Sequence, residues 1–335
     1  EEAALLGEDF LAILALSAEA NALGFVGRVV EAEARIRRAI DLAAKRSGGR
    51  PPTQWRGVLA YWIANQGRVV EARQILEAAR AADPAFAHTS LLEVGTVAFG
   101  MAGDVRQALA WAAETIAWNP GALTVQKGLG MPFAALMAAE AGDHALARRY
   151  AEMGVATCEG EWCQVTSGAK AVLGRLDVVA GGGEEALARL DLAVHGLVSG
   201  ALAYSPMFAL DLAELSALAA DRARADATAA MLAKIAEVSG CAVHAGMESL
   251  ASAWAALARG TPDAVDLARR ATGIFNDLDF PLLQGRAYDL LGRCLAVDDP
   301  AGAREAFREA VARFELCEAK WRRDRALTEL EGLRP

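Results

Sequence analysis

The chain has 335 residues, 77 of them alanine; 54% are hydrophobic, 6% are aromatic, and the formal net charge is −9. Alanine, leucine, glutamate and arginine all favour helix, so a mainly β protein is excluded, and the apolar content excludes disorder. The acidic balance argues against a bare DNA- or membrane-binding surface, which needs clustered lysine and arginine.

The N-terminus carries Glu1, Glu2, Glu8 and Asp9, unlike the basic start of a signal peptide. The longest stretch without formal charge, 192–210, contains His195, Gly196, Ser199, Gly200 and Pro206. It reads as a helix end, a loop and a helix start, not as a membrane span. Five cysteines, an odd number, fit a reducing cytoplasm better than a disulfide framework. With no initiating methionine and a stop at Arg334-Pro335, a segment of a longer protein is expected.

Short turns recur along the whole chain, each followed by an alanine-rich amphipathic run. They begin at Gly27, Gly67, Gly103, Gly142, Gly183, Asp221, Gly260 and Asp299, with spacings of 36 to 41 residues. A period held over eight copies predicts a repeat architecture. Each unit reads as a helix, a tight turn, a second helix and a polar connection. The turn glycine supplies a positive φ, and a following acid suits the start of the second helix. Asp83-Pro84 and Asn119-Pro120 close the second and third units. The expected units are 10–46, 53–84, 89–120, 128–160, 168–200, 206–240, 246–278 and 284–316, with a capping helix over 318–332, in one domain. Neither helix of a hairpin buries its apolar stripe alone, so the hairpins must stack into an all-α solenoid.

Candidate chemistry is thin. Ser167 and Lys170 match S-x-x-K, but the companion elements of that catalytic pattern are missing. Cys158 and Cys163, beside Glu159, Glu161 and Trp162, lack a second pair of metal ligands. His88, His144, His195 and His244 are scattered and read as surface or helix-end residues. Gly181-Gly182-Gly183 lacks the strand of a phosphate-binding loop and reads as an inter-helix turn. Lys320, Arg322, Arg323 and Arg325, interrupted by Asp324, read as a solvated helix face. The pairs Trp55/Trp62 and Trp111/Trp118, each seven apart, read as inter-repeat core. No catalytic residue, metal site or cofactor is expected.

Around Gly103, the residues Leu92, Phe99, Ala108 and Pro120 occupy the offsets of a tetratricopeptide repeat. Around Gly67, Ile63, Ala72, Leu76 and Pro84 do the same. The chain therefore resembles that family, which implies a right-handed superhelical solenoid of about eight hairpins. The segment from Ile274 to Pro281, the run from Arg286 to Gly292, and the stretch from Ala306 through Trp321 to Leu330 narrow the resemblance. Residues 260–333 look like the end of the helical sensor region in large ATP-binding, LuxR-type transcriptional regulators of the maltose-activator-like group. No G-x-x-x-x-G-K-[ST] loop is present, so nucleotide or DNA chemistry would lie outside this chain.

The resemblance implies a concave groove lined by the first helix of each hairpin. Carrying the family's offsets over places Asn21, Gln54, Tyr61, Asn65, Glu93, Lys170, Asp177, Asp211, Met247, Trp254 and Tyr288 there. A small-molecule inducer or a regulatory protein is the expected occupant, without direct nucleic-acid or membrane contact, and self-association through end hairpins is open. The expected function is that of a ligand-sensing or interaction solenoid of a multidomain bacterial regulator. The alternative is a stand-alone scaffold that binds a protein or peptide.

Overall fold

A computed structural model describes residues 2–46, 53–82, 90–118, 128, 130–157, 164–278 and 280–333. The side chains of 2–9, 54, 90 and 118 lie outside the described set, as do Asp83-Pro84, His88, Asn119-Pro120 and the Cys158–Cys163 segment. Seventeen α-helices and a short 3-10 turn, Leu202–Tyr204, make up the secondary structure of the described residues.

The first hairpin pairs α1 (Glu2–Phe25) with α2 (Val29–Arg46), the second α3 (Thr53–Ala64) with α4 (Val69–Ala82). The third pairs α5 (Ser90–Met101) with α6 (Val105–Trp118), the fourth α7 (Met131–Glu140) with α8 (His144–Thr157). The fifth joins α9 (Gln164–Val179) to α10 (Gly183–Gly200), the sixth α11 (Pro206–Leu218) to α12 (Arg222–Ser239). The seventh joins α13 (Ala242–Arg259) to α14 (Ala264–Asp277), the eighth α15 (Pro281–Leu295) to α16 (Pro300–Leu316). A single helix, α17 (Lys320–Gly332), follows.

One hydrogen-bond pattern closes the turns. The amide of Arg28 donates to the carbonyl of Leu23 at 2.9 Å, and Asp104 to Phe99, Asp143 to Ala138 and Asp221 to Ser216 repeat the step at 2.9 Å. The residue before each of these donors needs a left-handed backbone, and Gly27, Gly103 and Gly142 supply it at φ 87°, 68° and 83°. Two turns depart from the sequence register. In the fifth, the closing residue is Gly181 at φ 91°, two positions before Gly183; in the sixth it is Ala220, at φ 58°. Asp221 and Asp299 instead cap the next helices, their carboxylates accepting from the amides of Arg224 at 3.0 Å and Gly302 at 2.9 Å.

First and second helices differ in burial. Every residue of α7 is buried, and so is α11 from Pro206 to Ser216, whereas α8 buries only Ala147, Tyr150, Ala151 and Gly154. An amphipathic helix needs one covered face; a helix apolar all round must be covered on every side. The second helices form the outer wall and the first helices fill the interior.

The winding explains that burial. A Cβ placed on Gly27 would stand 3.4 Å from Leu202, and one on Gly67 would stand 3.5 Å from Val243. Gly103 abuts Leu282 and Phe280 in the same way, and Gly142 abuts Trp321. The turn of each of the first four hairpins thus meets residues about 177 positions further on, where one hairpin ends and the next helix begins; Val238 and Leu278 complete the contacts of Gly27 and Gly67. The solenoid advances about four and a half hairpins per superhelical turn, so its second turn stacks directly on its first. In this arrangement α17 stands where the first helix of a ninth hairpin would stand, under the turn of the fourth.

Candidate functional site

The inward positions are filled. Tyr61, Asn65, Glu93, Asp211, Met247 and Trp254 are all buried, while Asn21 and Tyr288 are half-buried. The side chain of Gln54 lies outside the described set. The Tyr61 ring lies 5.0 Å from that of Tyr204, which lies 5.9 Å from Phe133, which in turn meets Phe208 edge-on at 5.4 Å. Asn65 turns back on its own helix and donates to the Tyr61 carbonyl at 3.1 Å. Tyr288 is engaged by Asn276 at 3.0 Å. Burial holds the Tyr61 phenol well above its ordinary pKa, so it stays neutral. Trp55, Trp62 and Trp111 are buried in the core, the last packed edge-on against Phe99 at 5.1 Å.

Around Asp211 the interior becomes ionic. Glu140 ends α7, Arg175 comes from α9, Asp211 and Glu214 from α11, Arg286 from α15 and Arg322 from α17. All six are buried. Arg322 reaches three acids: its Nε lies 2.7 Å from Glu140, its Nη2 donates to Asp211 at 3.1 Å, and its Nη1 donates to Glu214 at 2.8 Å. Arg286 lies 2.9 Å from Asp211 and donates to Glu214 at 3.0 Å. Arg175 joins Glu140 at 3.0 Å and Asp211 at 3.1 Å. Glu140 is held by charge proximity, because neither of its oxygens meets an aligned donor. Trp321 covers the cluster from outside, its ring 4.9 Å from the Arg175 guanidinium and 4.6 Å from that of Arg325.

The electrostatics follow from that neutralisation. Burial alone would raise the Glu214 carboxyl, but Arg322, Arg286 and Arg325 outweigh it and hold it well below the usual carboxylate range. Glu140 is lowered in the same way by Arg175 and Arg322 against burial. Asp289, nearby on α15, goes the other way: burial raises its pKa despite Arg293 at 3.1 Å. Carboxylates fixed by two or three guanidinium groups are poor proton donors or acceptors near neutral pH, and the cluster is built to hold helices together.

Two sequence readings are corrected here. Arg322 does not lie on a solvated face: α17 packs under α7 and turns that residue inward, while Arg323 and Lys320 stay outside. His244 is at a helix end, as one half of the reading has it, but it is not on the surface. It is buried at the start of α13, its Nδ1 is 2.8 Å from the Ser239 hydroxyl, and burial lowers its pKa to about 4.

Lys170 and Asp177 are the two expected groove residues that share an open site, and it lies in the outer wall. A cleft of about 390 Å³ runs between α8 and α10, the second helices of adjacent hairpins. Its floor is the α9 stripe Ser167, Lys170, Leu173, Gly174 and Asp177; Arg148 and Arg189 stand on opposite sides. Asp177 accepts from Arg148 at 2.7 Å and from Arg189 at 3.1 Å. The hydrogen bond from Arg148 holds its carboxyl below the ordinary value, although burial opposes it.

Glu140, Arg175, Glu214, Arg286 and Arg322 were missed by the sequence reading. One signal was present: Asp211 and Glu214 stand three apart inside the otherwise apolar run Pro206–Leu218. Acids one helical turn apart on an all-round apolar helix demand buried counter-charges. Among the described residues no group of three or more His, Cys, Asp or Glu side chains is placed to hold a metal ion. No helix in that set is long and apolar enough to cross a membrane. Cys241, Cys294 and Cys317 are free thiols, and Cys158 and Cys163 lie outside the described residues.

The chain is thus a helical-hairpin solenoid, wound closely enough to bury its own inner face. No family model and no curated protein matches it. Among solved structures it is similar to a tetratricopeptide repeat protein from Parabacteroides merdae, with 14% identity, a TM-score of 0.42, and coverage of 85% of this chain and 99% of that one. It is also similar to the TPR domain of P58(IPK), at 12% identity and a TM-score of 0.25, over 96% and 98% of the two chains.

Proposed function

We propose that this chain is a non-catalytic interaction and ligand-sensing solenoid, serving a multidomain transcriptional regulator of bacterial type in the cytoplasm. The observation that carries the reading is the placement of α17. Arg322 and Arg325 on that helix bond to Glu214 on α11, and Arg322 also meets Glu140 on α7 and Asp211 on α11. A shift in the fourth, sixth or eighth hairpin therefore changes the partners of α17 directly, which is the coupling a sensor needs. The likeness of residues 260–333 to regulator sensor regions supports the same reading. Because the inner face is packed, binding to the solenoid belongs on its outer grooves and uncovered edges.

The test is the coding sequence on either side of residues 1–335. A nucleotide-binding module upstream and a helix-turn-helix pattern downstream support the regulator reading. A stop codon directly after Pro335 overturns it and leaves the second reading, a stand-alone scaffold for a protein partner.

A further inference from the structure

Acid–base pairs join several of the successive second helices along the outer wall. Arg37 on α2 meets Glu71 on α4 at 2.8 Å, Arg80 on α4 meets Glu114 on α6 at 2.8 Å, and Arg224 on α12 meets Asp191 on α10 at 3.2 Å. Between α8 and α10 both walls present arginine. Arg148 and Arg189 face each other across Asp177, which rises from the floor on α9. Asp177 ties both arginines to the floor, at 2.7 Å and 3.1 Å, and no acid–base pair among the described residues runs directly from one wall to the other.

The lining holds three cations, Arg148, Arg189 and Lys170, against the single carboxylate of Asp177. Glu185 pairs with Arg189 at 2.8 Å from outside the lining, which leaves the cleft positive on a chain of net charge −9. Two groups lack partners. Lys170 is exposed and makes no ion pair, and the Ser167 hydroxyl is buried in the lining, on a residue 1% exposed, without a hydrogen bond. A buried hydroxyl left unpaired costs free energy, and a ligand oxygen that accepts from it recovers that cost. Leu173, Leu192 and Ala193 supply the apolar remainder, and Leu192 is 71% exposed despite being aliphatic. A cleft of this size with an apolar wall and a few convergent polar groups suits a small molecule.

We propose that the cleft between α8 and α10 binds a small organic carboxylate with an aliphatic body. The carboxylate takes the Lys170 ammonium and the Ser167 hydroxyl, and the chain lies on Leu173, Leu192 and Ala193. This rests on the ligand-sensing part of the proposed function and gives that part a site; it does not depend on the regulator context.

The experiment is calorimetric titration of the whole chain with hexanoate, with hexanol and with inorganic phosphate. Hexanoate binds at one saturable site, while hexanol and phosphate bind at least about tenfold more weakly, because each offers half of the recognition. Lys170→Met weakens hexanoate about tenfold, Ser167→Ala weakens it less, and raising the salt concentration weakens it in the parent chain. Leu192→Asp, on an exposed position, places a negative charge beside the ligand and abolishes binding. Absence of saturable hexanoate binding overturns the proposal. So does binding that the Lys170→Met and Leu192→Asp variants leave unchanged, and so does phosphate binding as tight as that of hexanoate. These results strike the cleft alone, whereas the coding sequence beyond Pro335 strikes the regulator reading alone.

Discussion

The Nε of Arg322 on α17 lies 2.7 Å from Oε2 of Glu140 on α7, and both side chains are sealed from solvent. The pair joins the start of a helix in the second superhelical turn to the end of one in the first. It belongs to a cluster in which Arg322 is the common partner of Glu140, Asp211 and Glu214. Burial would lower the pKa of Arg322, but those three acids outweigh it and hold the guanidinium charged.

Removing that charge leaves three buried acids with fewer partners. Arg322→Met is expected to destabilise the chain by about 3–5 kcal/mol, the usual result of breaking a buried pair from one side. Urea unfolding measures the loss, and hydrogen exchange should show α7 and α17 opening first. Glu140→Gln leaves Arg322 with Asp211 and Glu214, and its cost should be smaller. An unchanged midpoint in Arg322→Met would show that the cluster does not clamp the two turns.

Two pH windows share a sign and separate by range: in both, stability falls as pH falls. Glu140 and Glu214 titrate below their unfolded value of 4.5, so their contribution is complete above that pH and is lost as pH falls through the lower folded values. His244 acts earlier. Its folded pKa is about 4 against 6.5 unfolded, so between those values the unfolded chain holds a proton that the folded chain refuses. Stability therefore falls as pH drops from 6.5 to 4, by about 3 kcal/mol from this group. His244→Gln should flatten the urea midpoint in that window and leave the acid limb below 4.5 intact. If the variant and the parent trace parallel curves between pH 6.5 and 4.5, His244 is not the group responsible.

These two groups also mark where sequence reading ended. The period located the turns at Gly27, Gly67, Gly103 and Gly142, because a positive φ after a helix leaves a glycine in the sequence. It began the sixth turn at Asp221, one residue after Ala220, where the same backbone occurs without the glycine, and it read Gly181-Gly182-Gly183 as the fifth turn, which Gly181 closes. Neighbouring hairpins follow from periodicity, but contact between the first and second superhelical turns does not. Whether Arg322 meets water or Glu140 depends on how many hairpins complete a turn, a quantity set by small packing angles summed over the solenoid. For the same reason Lys170 and Asp177 were expected in an inner groove and lie in an outer one.

Burial makes the described thiols poor nucleophiles. It pushes Cys241 up to about 11, and Cys294 and Cys317 up to about 12. At pH 8 almost none of each is thiolate, so iodoacetamide should leave the peptides containing these three cysteines unmodified in the native chain. All three should react in urea. Native labelling at Cys317 would mean that α17 opens readily, against the clamp drawn around Arg322.

The turn at Ala220 stores strain that a single substitution can release. Its φ of 58° lies in the left-handed region, where Gly27, Gly103 and Gly260 serve the equivalent turns, and the residue is exposed. A Cβ there opposes the backbone by about 1–2 kcal/mol. Ala220→Gly removes that cost but frees the unfolded chain by about 0.4–1 kcal/mol. The balance favours the variant by roughly 0.5–1 kcal/mol, and no packed side chain is lost. Glu318, at φ 59° before α17, is a second such site; its contact with Arg106, 3.7 Å away on an exposed surface, contributes little. The two substitutions sit in separate turns and should add. Differential scanning calorimetry reads both, and a lower melting temperature in Ala220→Gly would show that the strain is compensated within the turn itself.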